Sequence, residues 1–161
     1  MARRVRWQPG AVVAARLRDG RVYGARLLAF PFVAFYDGAD DEPPSPEAVT
    51  VRPVWRTLAV TEALLSRGWA IVGSAATPVP HPPAQYLQDR FDSAHIQLLD
   101  ASGALRPGTP DEARQLERAA VWAPEHVEDM LVAHARGDVD PQTIALAFVE
   151  PPTDSGNRST P

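Results

Sequence analysis

Apolar and polar positions divide the chain into a strand-rich first part and a helical last part. Residues 11–17 (AVVAARL) and 21–30 (RVYGARLLAF) are two apolar runs separated by Arg18, Asp19 and Gly20. Asp-Gly between such runs predicts a β-hairpin, because glycine takes the positive φ that the turn requires. Within the first run Val13, Ala15 and Leu17 alternate with Val12, Ala14 and Arg16, the period of a half-buried strand. After Pro31, residues 32–36 (FVAFY) predict a third strand that runs into an acidic loop, 37–47, holding Asp37, Asp40, Asp41, Glu42 and Glu47. Residues 49–60 predict a fourth strand, with Pro53 at an edge or bulge. A short helical turn over 61–67 ends at Gly68, and 69–73 (WAIVG) predicts a fifth strand. The run TPVPHPP at 77–83 reads as an extended crossing, and 95–100 (HIQLLD) as one more strand, turned by Ser102 and Gly103.

The period then changes. Thr109 is a good N-cap, Pro110 suits the first helical position, and Glu112 completes a capping box. Pro124 starts a second helix, since proline inside a continuous one costs about 3 kcal/mol. Val127, Met130, Leu131 and His134 then form one apolar stripe, with Glu125, Glu128 and Asp129 near the start and Gly137 as the closing residue. Residues 109–137 therefore predict two helices meeting at Trp122, Ala123 and Pro124, docked through Leu116, Ala120, Trp122 and Leu131. Residues 144–149 (IALAFV) admit either a short helix or a terminal strand, and the tail 151–161 reads as disordered. Strands first and helices later predict an α+β fold. The expected form is a strongly bent antiparallel sheet, or a small partly open barrel, of about five to seven strands with the helical pair packed on it. One domain over 1–150 is expected.

Composition narrows the function classes. A chain of 161 residues suits one domain. The 45% hydrophobic and 22% charged content is that of a soluble globular protein. A net charge of −4 argues against a nucleic-acid binder. The absence of cysteine excludes disulfides and thiolate zinc sites, and fits a cytoplasmic location. All 16 basic residues are arginine; with 17 prolines this points to a GC-rich genome rather than to phosphate recognition. The basic start MARRVRWQPG lacks the apolar stretch of a signal peptide, and no apolar run reaches the roughly 20 residues that span a bilayer.

Candidate chemistry is sparse. His126 and His134 lie two helical turns apart, too far to share a metal as an i, i+4 pair does. No nucleophile elbow, P-loop or dinucleotide-binding glycine pattern is present. The acidic loop has oxygen ligands but not the spacing of an EF-hand, so neither metal nor cofactor is expected. An exposed acidic loop edged by Tyr36 suits a basic partner, because complementary potential speeds encounter and penalises wrong partners. Tyr36 or Trp55 would supply an aromatic anchor if not buried in the core.

Four strings in order carry a resemblance. They are Gly10 followed by AVVAARLRDGRVYGARLL, VAFYD at 33–37, GWAIVG at 68–73, and LERAAVWAPEHVED at 116–129 with His134 and Gly137 after it. Together they resemble the immunity protein 26 family of bacterial polymorphic toxin systems, over most of the chain from Gly10 to about Phe148. Met130 stands where that pattern leads one to expect a basic residue, and 77–83 is atypical of it. The resemblance implies a cytoplasmic, non-enzymatic protein that binds and blocks a cognate toxin domain. If that toxin is a nuclease, its basic site would meet an acidic surface that mimics phosphate. The residues expected to make contact are Tyr36, Asp37, Asp40, Asp41 and Glu42, with Glu117 and Glu128 as a second acidic group.

Two other classes compete. The hairpin at 12–28 is similar to the first strands of a small Tudor- or KOW-like barrel reading a peptide or nucleic acid, with Tyr23 as aromatic reader. A hydrolase or deaminase would instead need His126 or His134 to converge with acids in one pocket.

Overall fold

Strands dominate the computed structural model, which describes residues 6–140, 142 and 148–152. Ten strands and three α-helices are found among them. They fall into two compact units, Met1–Pro83 with Ala120–Ala145, and Ala84–Ala119 with Leu146–Pro161. The fold is α+β, but the expected single antiparallel sheet is replaced by two mixed sheets, and no closed barrel forms among the described residues. No helix among them is long and apolar enough to cross a membrane.

The first unit holds a six-stranded sheet. Its strands are β1 (Ala11–Arg16), β2 (Val22–Leu27), β3 (Phe32–Asp40), β4 (Val54–Val60), β5 (Ala70–Ser74) and β10 (Val121–Trp122), in the order β10-β4-β3-β2-β1-β5. Only the β10–β4 pairing is parallel. The hairpin forms as the Asp19-Gly20 signal predicts. Leu17 N donates to Arg21 O at 2.8 Å, and Gly20 takes φ 88°.

The alternation read in β1 does not leave one face in water. Val12, Val13 and Ala15 are all fully buried, because both faces of the sheet are covered. On one face lies helix α1 (Pro46–Thr50), whose Val49 packs with Val12, Leu28, Ala34 and Tyr36. Gly24 is the residue that lets α1 approach: a Cβ there would sit 2.6 Å from a Val49 methyl. Over the other face Phe35 meets Trp69 edge-to-face, and helix α3 (Pro124–Arg136) brings Met130 against Arg56.

The expected acidic loop is largely structured. Strand β3 continues to Asp40, and α1 begins at Pro46 behind an N-cap, Ser45, whose Oγ accepts from Ala48 N at 3.2 Å. Residues 49–50 are thus helical, and β4 starts only at Val54. The turn after β4 is a short 3-10 helix, Glu62–Ser66, before Gly68 at φ 86°, as expected. The proline-rich run 77–83 forms no strand, also as expected. Its start is pinned by the buried Arg26, which donates to Gly10 O, Ala75 O, Thr77 O, Thr77 Oγ1 and Pro78 O at 2.9–3.1 Å.

The second unit holds a four-stranded sheet in the order β8-β7-β6-β9, from β6 (Gln85–Gln88), β7 (Ile96–Leu99), β8 (Leu105–Pro107) and β9 (Glu117–Arg118). Tyr86, Ile96, Leu98 and Ala113 form its core, flanked by Leu116 and Phe148. The capping box is present: Glu112 N donates to Thr109 Oγ1 and Thr109 N to Glu112 Oε2. The helix it starts, α2 (Pro110–Ala113), nevertheless ends after four residues. A cap lowers the cost of starting a helix but does not sustain one. Glu117 and Arg118 instead pair with β6, and Val121 and Trp122 with β4. One long helix therefore stands where a pair was expected. The helix-or-strand choice at 144–149 falls mainly on residues outside the described ones, as does the tail from 153.

Candidate functional site

The end of β3 is shaped by two irregularities. Opposite Gly24 alone, β3 uses three residues, Tyr36, Asp37 and Gly38, with Gly38 at φ 93°. On the other side, the register passes from Phe35↔Arg56 to Tyr36↔Val54, leaving Trp55 as the extra residue of a bulge. A bulge re-aims the side chain it inserts. Asp37 is thereby turned outward (its side chain is 56% exposed) and Trp55 toward α3.

Helix α3 meets both. His134 Nε2 lies 2.9 Å from Asp37 Oδ1, and the His134 ring stacks on Trp55 with centroids 3.9 Å apart and planes 16° apart. Tyr23 packs beside them, 6.1 Å from His134 and 6.4 Å from Trp55. The helix is fixed at both ends, by Pro124 in its first turn and by Gly137 at φ 74°, as the sequence predicts. The β1–β2 turn holds its flank: Arg18 N donates to Glu128 Oε1 at 2.6 Å, Arg18 pairs with Asp129, and Arg21 Nη1 donates to Ala135 O at 2.9 Å.

Tyr23 is wholly buried, and among the described residues its hydroxyl has no partner in good hydrogen-bonding geometry, the Gly38 amide being its nearest approach to one. Burial, and secondarily the Asp37 charge, push its pKa up to about 12, against a smaller opposing effect of the Gly38 amide. A hydroxyl shifted in that direction is a poor nucleophile. It is also no exposed reader of a ligand, since His134 and Trp55 cover it.

The acids singled out in the sequence divide by environment. Tyr36, expected at the edge of an exposed loop, is only 3% exposed and belongs to the α1-side core. Asp40 is engaged by Arg52 through two bonds of 2.8 Å, and this pairing holds the guanidinium above its ordinary range. Glu128 serves the Arg18 amide. Asp41 and Glu42 are exposed and, among the described residues, carry no ion pair. Glu117 is exposed on β9, in the second unit. Of the seven, Asp37, Asp41 and Glu42 are exposed acids at and after the end of one strand, Asp37 in contact with His134. Among the described residues no three His, Cys, Asp or Glu side chains converge to hold a metal ion. His126 sits apart from His134, edge-to-face with Trp122 at 6.3 Å.

The Trp55–His134 stack was not legible in the hydrophobic pattern. Its signal is Pro53, which marks a bulge in the strand carrying Trp55.

No protein-family model, curated protein or solved structure matches this sequence.

Proposed function

We propose that this chain is a non-enzymatic immunity protein that acts in the cytoplasm, binding a cognate bacterial toxin domain and covering its working surface. The reading draws on the four ordered strings between Gly10 and Gly137 that resemble the immunity protein 26 family. The structural observation that supports it best is a contrast. Asp37, Asp41 and Glu42 are exposed, whereas Tyr23, the aromatic a small-barrel reader would present, is in the core, as is Tyr36, which therefore drops out of the expected toxin contact.

The acidic edge is also braced. Asp37 N donates to Pro53 O at 2.9 Å, and Asp40 is locked to Arg52 just before the exposed pair. A surface already ordered loses less freedom on association, so more of the interaction energy appears as affinity. Its sign suits a basic toxin face, such as the phosphate-binding site of a nuclease.

A calorimetric titration with the toxin domain encoded beside this chain tests the reading. Asp41→Arg with Glu42→Arg is expected to weaken binding at least tenfold and to flatten its salt dependence. Unchanged affinity and slope would remove this edge from the interface.

A further inference from the structure

The connection between β6 and β7 is a closed loop carrying one large apolar side chain, all of it in water. Asp89 Oδ1 accepts from Phe91 N at 2.6 Å and from Asp92 N at 3.0 Å. Asp92 Oδ1 accepts from Ala94 N at 3.1 Å, and Asp92 O from His95 N at 3.0 Å. Asp89 N donates to His95 O at 3.1 Å, closing the base. From beneath, Gln88 Nε2 donates to Ser93 O at 2.8 Å while its amide also bonds both polar backbone groups of Val149. The amides of Phe91 and Asp92 hold the Asp89 carboxyl below its ordinary range, as expected for a carboxylate used as a backbone clamp. On this tied frame Phe91 is 96% exposed.

A loop that needs one tight turn has no use for phenylalanine at its tip. Polar residues do the same with no apolar area left in water. The backbone here is already ordered, so a partner that buries Phe91 would order little beyond the side chain itself. Aromatic anchors on such supports dominate the energetics of interfaces.

The flanking charges select the partner class. Asp89 and Asp92 stand on either side of Phe91, with Arg90 the one cation between them. A loop that enters an anionic lipid surface carries the opposite balance, lysine and arginine beside its aromatics. Two copies meeting tip to tip would bring four carboxylates together against two guanidiniums, a net repulsion.

We propose that Phe91 is a docking anchor for a protein whose surface offers an apolar pocket rimmed by basic side chains. In identifying that protein with the toxin domain, the inference rests on the function proposed above, but the loop belongs to the second unit and is tested separately from Asp41 and Glu42.

The test uses the full chain and the toxin domain encoded beside it. Phe91→Ala should weaken binding by about 30-fold or more, the loss typical of a hot-spot residue. Phe91→Leu should retain most of the affinity, and neither change should move the thermal midpoint, because the side chain buries almost no area against the described residues. If Phe91→Ala binds as tightly as the parent while Asp41→Arg with Glu42→Arg does not, the loop is overturned and the immunity reading stands. If no version binds the toxin domain, that reading fails, and p-benzoylphenylalanine at position 91 decides the loop in the source cells. A cross-linked protein whose purified form binds in a Phe91-dependent manner supports the anchor, and no cross-link overturns it. Phe91-dependent flotation with phosphatidylcholine–phosphatidylglycerol vesicles, or Phe91-dependent dimerisation in sedimentation, would also overturn it.

Discussion

Asp37 and His134 meet at 2.9 Å across 97 residues of chain, tying the irregular end of β3 to helix α3. Two interactions converge on the imidazole, the carboxylate contact and the stack on Trp55. Their strengths differ. A contact with a carboxylate this exposed contributes about 0–1 kcal/mol, whereas a stacked ring keeps its contact area whatever its charge. His134→Ala is therefore expected to cost about 1–2 kcal/mol in urea unfolding at neutral pH, and Asp37→Asn less than about 0.5 kcal/mol. Equal losses would assign the anchoring of α3 to the carboxylate contact instead of the stack.

Tyr23 makes a prediction at alkaline pH. Its folded pKa, pushed up to about 12, exceeds the ordinary value of 10.0. Between those values the unfolded chain loses the phenolic proton and the folded one keeps it, so stability falls as pH rises. The contribution is fully present below pH 10 and is lost by about pH 12, on the order of 2 kcal/mol. Tyr23→Phe removes a hydroxyl that among the described residues has no partner in good hydrogen-bonding geometry, so at pH 7 it should leave stability unchanged or higher by up to about 1 kcal/mol. Over pH 9–12 its unfolding free energy should fall less steeply than the parent's. Parallel curves would place the alkaline sensitivity elsewhere.

Arg26 is a buried cation whose hydrogen bonds all go to neutral oxygens, four carbonyls and the Thr77 hydroxyl. Replacing it strips these part-buried acceptors of their donor, and each one that water cannot reach costs about 1–3 kcal/mol. Arg26→Met, which keeps the aliphatic volume, should destabilise by about 3 kcal/mol or more in chemical denaturation. Arg26→Lys should recover only part, because an ammonium cannot reproduce the planar fork that reaches Gly10, Ala75 and Pro78 together. It should also expose residues 75–83 to limited proteolysis first. Full recovery by lysine would mean that charge alone, and not the fork, holds this segment.

What was legible in the sequence was what is decided locally. Asp19-Gly20 fixes the β1–β2 hairpin within four residues, and Pro124 and Gly137 bound α3 through groups on its own ends. The Thr109–Glu112 capping box was equally readable and equally local, which is why it misled. It governs the first turn of α2, while residues 117–118 and 121–122 are decided by β6 and β4, strands distant in sequence. Helix α1 was hidden because Val49 and Val51 favour a strand by type, although Ser45-Pro46 is a readable helix start. The candidate site was legible as residue types only. That Tyr36 turns inward and Asp37 outward depends on bulges that no periodicity records.

The central claim concerns neutralisation, and cell survival measures it most directly. The chain would be co-expressed with the cognate toxin domain that the proposed function calls for, at matched levels, and viable counts compared with the toxin alone. The intact chain is expected to restore growth, and Asp41→Arg with Glu42→Arg to restore it less while folding normally. Death of cells that contain abundant, folded, unaltered chain would contradict the claim.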